Sequence, residues 1–390
     1  MSENVGIYVH IPFCMRKCSY CDFVSYAGKE EQIKTYIEAL KKEIKMTSKQ
    51  IEKKEWNIST VYIGGGTPSF IDSNYIIEIM QMIQSCFEVS KEVEVTIEVN
   101  PGTVTIEKLK QYRQVGINRI SIGLQVVQDS LLKKIGRIHT YAQFLQTYQD
   151  AKLVGFTNQN VDLMLGLPGQ TLQQLEESVK TIIDLEPTHI SVYSLIIEEN
   201  TPMEKQIRQG KLTIPEEALE RIMYWRVKEL LQDKGYLHYE ISNFAKKGYY
   251  SKHNQNCWGQ KEYLGFGVAA HSYFNKKRYS NEIAIEAYIK NIQEGKIEKN
   301  KQIHEIQNKE DEQKEYMLLG LRKLDNGVSI QNFKQKFGEN PLFLYHKILE
   351  KLVKKGLIEI DLDKIMLTKQ GIGKLGFGGF CLVHWIQIKC

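Results

Sequence analysis

At 390 residues the chain has room for two to three domains of roughly 150 residues each. With 42% hydrophobic and 25% charged residues it reads as an ordinary globular protein, and no apolar run reaches the ~18 residues that span a bilayer. The formal net charge of +5 is too small to mark a nucleic-acid binder, and the start, MSENVGIYVHIPF, lacks a basic segment before its short apolar run, so the expected location is cytoplasmic.

Six β-branched runs follow in order: 6–11 (GIYVHI), 59–65 (STVYIGG), 92–99 (EVEVTIEV), 119–124 (RISIGL), 159–165 (QNVDLML) and 189–195 (HISVYSL). Helical periodicity fills 30–49, 73–87, 104–114, 140–153, 171–184 and 216–234. Strand–helix alternation of this kind predicts a parallel α/β fold with right-handed crossovers, either a barrel or a doubly wound sheet. Both place ligand groups at the C-terminal ends of the strands. Residues 236–300, rich in aromatics, Gly and Asn, read as strands and loops closing the barrel edge. The charged stretch 299–315 (KNKQIHEIQNKEDEQKE) reads as a linker. Within 301–390, three helices and two short strands around an Asp-containing turn resemble a small winged-helix domain. Its Lys and Arg alternate with Asp and Glu, which suits a docking or lid element better than a DNA reader.

Three of the seven cysteines, Cys14, Cys18 and Cys21, stand in a C-x3-C-x2-C loop directly after the first strand. An odd number of thiols without a secretory leader argues against disulfides. Structural zinc asks for a fourth nearby Cys or His, and after Cys21 the next cysteine is Cys86. The pattern favours a [4Fe–4S] cluster with three protein ligands, leaving one iron open to a small chelating molecule.

This loop, with the string YVHIPFCMRKCSYCDF (8–23), resembles the radical S-adenosylmethionine superfamily, in its coproporphyrinogen III oxidase-like branch. The resemblance continues through GGGTPS, IEVNP, GINRISIGLQ, IGRIH, VDLMLGLPGQT, YEISNFA and HNQNCW, covering most of residues 5–275. It implies a partial (β/α)6 TIM-like barrel over 1–235, an extension over 236–300 and a C-terminal helical domain over 301–390. It further implies that Tyr8, Tyr20, Gly65, Gly66, Thr67, Glu98, Gln125, Arg137 and Asp162 line the S-adenosylmethionine site, where reductive cleavage of the sulfonium would yield a 5′-deoxyadenosyl radical. Read from the residues, the glycines at 64–66 allow close backbone approach to a charged ligand. Glu98 ends its strand at the barrel mouth, whereas a solvated face accounts for Glu94. Asp162 is polar within an apolar strand and needs a partner. Arg137 is expected to face a carboxylate bidentately.

Within this branch the oxidases resemble C-x3-C-x2-C-x-C and carry an N-terminal extension. Here Phe23 stands at the fourth cysteine position and the first strand begins at residue 5, both of which favour the haem-chaperone (HemW-type) relatives. His253–Trp258 (HNQNCW) is similar to their H-N-x-x-Y-W signature, with Cys257 in place of Tyr. His253, in an expected loop, is the candidate haem ligand. The resemblance therefore implies haem as a ligand and client haemoproteins as partners, those of the bacterial membrane or respiratory chain included. The competing activity is oxygen-independent decarboxylation of coproporphyrinogen III; a DNA-binding role for the winged-helix-like region ranks behind it. Val126 replaces the usual Ser beside Gln125, and the tail from residue 377 (FGGFCLVHWIQIKC) departs from the family's ending, as a shifted reading frame would make it do.

Overall fold

The computed structural model describes residues 3–51 and 56–377. Six parallel strands lie side by side in chain order: β1 (Glu3–Ile11), β2 (Trp56–Gly65), β3 (Val89–Val99), β4 (Arg119–Gln125), β5 (Asn158–Leu165) and β6 (His189–Ser194). The crossovers are α1 (Ile33–Gln50), α2 (Ser73–Cys86), α3 (Ile106–Gln114), the pair α4 (Asp129–Lys134) and α5 (Tyr141–Leu153), and α6 (Leu172–Ile183). After β6 come α7 (Pro202–Arg208) and α8 (Glu217–Asp233). Thr140 and Thr171 start α5 and α6 with complete capping boxes, each cap being worth about 1 kcal/mol.

Alternation along the strands explains what faces where. Ile7, Val9, Val61, Ile63, Val95, Ile97, Ile120 and Ile122 are fully or almost fully buried in the main hydrophobic core, at about 1.5–3 kcal/mol for each side chain removed from water. The intervening residues Tyr62, Thr96, Glu98, Arg119, Ser121 and Asp162 occupy the opposite face, the inside of the barrel. Barrel interiors are ordinarily filled with Val, Ile and Leu; this polar interior forgoes that packing, which marks it as a place for a ligand.

The extension covers both edges of the parallel sheet. Strands β7 (Leu237–Glu240) and β8 (Asn243–Ala245) form an antiparallel pair beyond β6. The chain then makes α9 (Lys252–Trp258) and places β9 (Tyr263–Phe266) parallel to β1. Antiparallel β10 (His271–Phe274), β11 (Lys277–Asn281) and β12 (Lys301–Ile306) continue outward, with α10 (Ile285–Gln293) between β11 and β12. Among the described strands β12 and β7 do not meet, so the barrel is open. The stretch 299–315 is not a linker: it holds β12, paired to β11, and most of a capped helix, α11 (Lys309–Gly320). Its charges are those of an edge strand and an exposed helix face.

The C-terminal region continues with β13 (Val328–Ser329), α12 (Ile330–Phe337), α13 (Pro341–Leu344), α14 (His346–Lys354), β14 (Ile358–Ile360), β15 (Lys364–Leu367) and α15 (Lys369–Phe377). The three strands order as β13-β15-β14 and share a separate core around Phe333, Phe337 and Ile365, in the winged-helix-like pattern. It is tied to the barrel extension by an ion pair between Arg322 and Glu240, whose side chains are 6% and 0% exposed. Among the described residues no helix is long and apolar enough to cross a membrane. Residues 378–390, nearly all of the atypical tail, lie outside the described residues.

Candidate functional site

The cysteine loop leaves the C-terminal end of β1 and is held by backbone hydrogen bonds from Cys14 to Tyr26 and from Ser19 to Ile135. Cys14 is buried, Cys18 and Cys21 are half-buried, and all three thiols are free. The turn after β2 lies against them. Gly66 and Thr67 donate their N–H groups to the carbonyls of Ile11 and Phe13, at 2.9 and 2.8 Å. Thr67 Oγ1 donates to Cys14 Sγ at 3.4 Å and accepts from Asn100 Nδ2 at 2.8 Å. A Cβ on Gly66 would stand 3.0 Å from Cys14 Sγ, so the loop and turn can touch only because residue 66 is glycine.

On the other side Arg137 donates to Cys18 Sγ at 3.7 Å, to Asn100 Oδ1 at 2.9 Å and to the carbonyl of Gly123. Its buried Nε has no hydrogen-bond partner among the described residues. Among the described residues no carboxylate meets it bidentately, and the guanidinium is aimed at the thiol loop. Tyr20 lies half-buried on the same loop, and burial, reinforced by Cys18, raises its hydroxyl pKa. Burial also raises the Cys14 thiol and, with Cys18 adding, pushes Cys21 up to about 12. Thiols held neutral in this way ionise on binding metal, with release of protons.

The rim continues inside the barrel. Gly65, in left-handed backbone at φ 112°, donates its N–H to Glu98 Oε2 at 3.1 Å, and Tyr62 donates to Glu98 Oε1 at 2.8 Å. Burial is the main cause raising Glu98 to about 7, with the Asp162 carboxylate adding to it. Tyr8 stacks on Tyr62 with ring centres 6.3 Å apart and pairs through its hydroxyl with His10 Nδ1 at 2.9 Å. Asp162 finds its partners in Ser121 Oγ and Asn160 Nδ2, at 3.1 and 2.8 Å; it sits within β5 rather than at its end. Gln125 closes β4 in left-handed backbone, φ 79°, a strained conformation for a side-chain-bearing residue and one that concentrates at ligand sites. Val126 is fully buried against Leu131, Leu132 and Met164, which explains an apolar residue there.

A narrow cleft opens between Cys18, Thr67, Asn100, Arg137 and His139. A larger one, about 300 Å³, lies between α1 and the β9–β12 edge, lined in part by Trp56, Phe274 and Lys277, and holds none of the expected site residues. The thiol loop, with its glycine approach and two side chains donating to sulfur, marks the smaller cleft as the centre of the site. Its donor set fits an iron–sulfur cluster. Among the described residues no three His, Cys, Asp or Glu side chains close on a single metal ion, whereas a cubane takes its thiolates on separate irons.

His253 is placed differently from the expected loop ligand. It lies on α9, 2% exposed, with its ring 5.2 Å from that of Tyr62 and its Nδ1 2.9 Å from Thr60 Oγ1. Burial, then the Arg119 charge, lowers its pKa to about 3. Helix α9 forms the floor of the barrel, and the imidazole reaches no surface. Glu94, expected on a solvated face, is buried and accepts the N–H groups of Lys252 and His253, both at 3.1 Å. Glu94, Thr60, Asn100 and Arg119 are site residues the sequence did not single out. Cys257 is a buried filler between Tyr263 and Tyr273, and Trp258 carries the Arg322 guanidinium 4.3 Å above its ring.

The model of the radical SAM superfamily matches residues 8–182, and that of the HemN C-terminal domain matches 307–372. A Bacillus subtilis protein named heme chaperone HemW is 39% identical over 376 residues, covering 96% of this chain and 98% of its own. The chain belongs to the HemW family of radical SAM proteins. A Lactococcus lactis HemW is 36% identical, covering 93% of each chain. Danio rerio radical S-adenosyl methionine domain-containing protein 1, mitochondrial, is 31% identical over 86% of this chain and 79% of its own. Among solved structures, coproporphyrinogen III oxidase (HemN) from Escherichia coli superposes with a TM-score of 0.81 over 95% of this chain and 88% of its own. At 22% identity that likeness bears on the fold: a radical SAM α/β barrel with a small C-terminal domain.

Proposed function

We propose that the chain is a haem chaperone: it holds a [4Fe–4S] cluster on Cys14, Cys18 and Cys21, binds S-adenosylmethionine beside it, and binds haem for delivery to haemoproteins. The observation that carries the cluster is the free thiol triplet at the barrel mouth, with Thr67 and Arg137 donating to two of its sulfurs. Gly65, Gly66, Glu98 and Gln125 rim the same mouth, with Asp162 set further in on β5, and are suited to hold the amino-acid and ribose parts of the cofactor, with Tyr8 and Tyr20 walling it. When bound, the cluster supplies an electron to the sulfonium. The protein's own part is to exclude water, to orient the ligand through Arg137 and Glu98, and to keep the thiols close together.

The haem step rests on relatives that carry the name heme chaperone over almost their whole length. Phe23, 41% exposed, stands where the oxidases carry a fourth cysteine. His253 contributes from the barrel floor, and a haem iron reaches its Nε2 only if α9 moves. Haemoproteins of the membrane and respiratory chain are the recipients to test first.

One anaerobic preparation tests the proposal. Reconstituted protein is expected to hold about four irons per chain, to bind haem, and to release it to an apo-haemoprotein. Iron content unchanged in Cys18→Ser would sink the cluster assignment. Protoporphyrinogen formed from coproporphyrinogen III, with reductant and S-adenosylmethionine, would replace the chaperone with the oxidase.

A further inference from the structure

The deepest cation in the barrel has no direct ion-pair partner among the described residues. Arg119 opens β4 and is 2% exposed, on the same inner face as Ser121. Its Nε has no hydrogen-bond partner, and among the described residues no carboxylate lies within ion-pair distance of the guanidinium. The carboxylates that face it, Glu98 and Asp162, are already held by Tyr62 with Gly65 and by Ser121 with Asn160. A buried charge that makes no direct ion pair is costly for a fold to retain.

Two other polar atoms beside it are in the same condition. Thr96, fully buried, stands in register between Tyr62 and Arg119, and its Oγ1 has no partner. His253 packs on that same Tyr62, and its Nε2 has none either. The imidazole cannot turn away. Thr60 holds the imidazole by Nδ1, and Glu94 holds the backbone of residues 252 and 253. In the tautomer in which Thr60 donates to Nδ1, the ring proton stands on Nε2, and His253, Arg119 and Thr96 then all offer N–H or O–H donors.

We propose that Arg119, His253 and Thr96 form a carboxylate-binding site inside the barrel, one layer beneath the S-adenosylmethionine residues. The carboxylate is either a free small acid or a propionate arm of a tetrapyrrole; the second source rests on the haem-chaperone reading. His253 then serves haem by holding its acid group rather than its iron.

Full-length, cluster-reconstituted protein is titrated with sodium propionate and with neutral propionamide, following the melting temperature. Propionate is expected to raise it saturably, propionamide to leave it unchanged, and Arg119→Gln to abolish the response. Arg119→Lys, which keeps the charge, retains part of it and controls for folding. Haem and its dimethyl ester are then compared. Haem binding at least 10-fold tighter than the ester, with the preference lost in Arg119→Gln and the Soret maximum unmoved in His253→Ala, supports the tetrapyrrole source. Equal binding of haem and ester with the propionate response intact supports a free acid. No haem binding at all, with that response intact, sinks the chaperone reading and leaves this site standing. Absence of a propionate response together with equal binding of haem and ester leaves internal water only and overturns the proposal. So does a Soret shift in His253→Ala alongside an unaltered ester ratio in Arg119→Gln.

Discussion

Glu98→Gln should stabilise the metal-free protein, and only at neutral pH and above. Glu98 is enclosed by Tyr62, Gly65 and the barrel wall, and burial raises its carboxyl from 4.5 to about 7. A displacement of one pH unit is worth about 1.36 kcal/mol, so ionising Glu98 in place costs the fold about 3 kcal/mol relative to ionising it in the unfolded chain. The sign follows from which state binds the proton more tightly. Below pH 4.5 both states are protonated and the penalty is absent. Between 4.5 and about 7 the unfolded chain ionises first, and stability falls as pH rises. Above 7 the full penalty is present. Glutamine keeps one acceptor for Tyr62 and carries no charge. Urea unfolding at pH 4.5, 6 and 8 should show the variant level with wild type at the lowest pH and ahead by about 2–3 kcal/mol at the highest. A gap that is constant across the three pH values, or that favours wild type at pH 8, would refute the argument.

Gly66→Ala should cost about 1–3 kcal/mol and lower the iron bound on reconstitution, because its Cβ would meet Phe13 O at 2.9 Å and Cys14 Sγ at 3.0 Å; iron assay and thermal melting check both. Glu240→Gln should lose about 3–5 kcal/mol in urea by leaving the buried Arg322 unpaired, while replacing both residues with apolar ones should lose far less. Thr60→Val should cost about 1–3 kcal/mol by stranding His253 Nδ1, and histidine-resolved NMR should report the changed ring environment.

The parallel strands were legible because apolar, often β-branched residues recur along them at the strand period, between the polar side chains of the barrel interior. The thiol loop was legible because cysteine spacing is a local property. What escaped notice depends on contacts between distant segments. Glu94 looks like a solvent-facing residue in EVEVTIEV until α9, some 160 positions later, sets its N-terminus on that carboxylate. Residues 301–306 form an edge strand with Ile303 and Ile306 exposed, so the alternation that identifies a half-buried strand is missing. His253 was recognised by its neighbours in sequence, but its burial is decided by Thr60 and Tyr62 on the distant strand β2. Arg119 carried no signal, since an arginine at a strand start is ordinarily a surface residue.

Strand β1, which delivers the cysteine loop, pairs on one side with β2 and on the other with β9. Its second edge therefore stays open until residues 263–266 have left the ribosome, after more than two thirds of the chain. Contacts so distant in sequence form late and slowly. The loop that will carry the cluster is thus attached to a strand whose second edge is paired late. This leaves a period during synthesis in which the thiols are assembled on β1 and β2 yet still open to a donor of iron and sulfide. With Cys18 and Cys21 half-buried at the mouth of an open barrel, the loop stays reachable after β9 docks, so loading is open both during synthesis and on the finished fold.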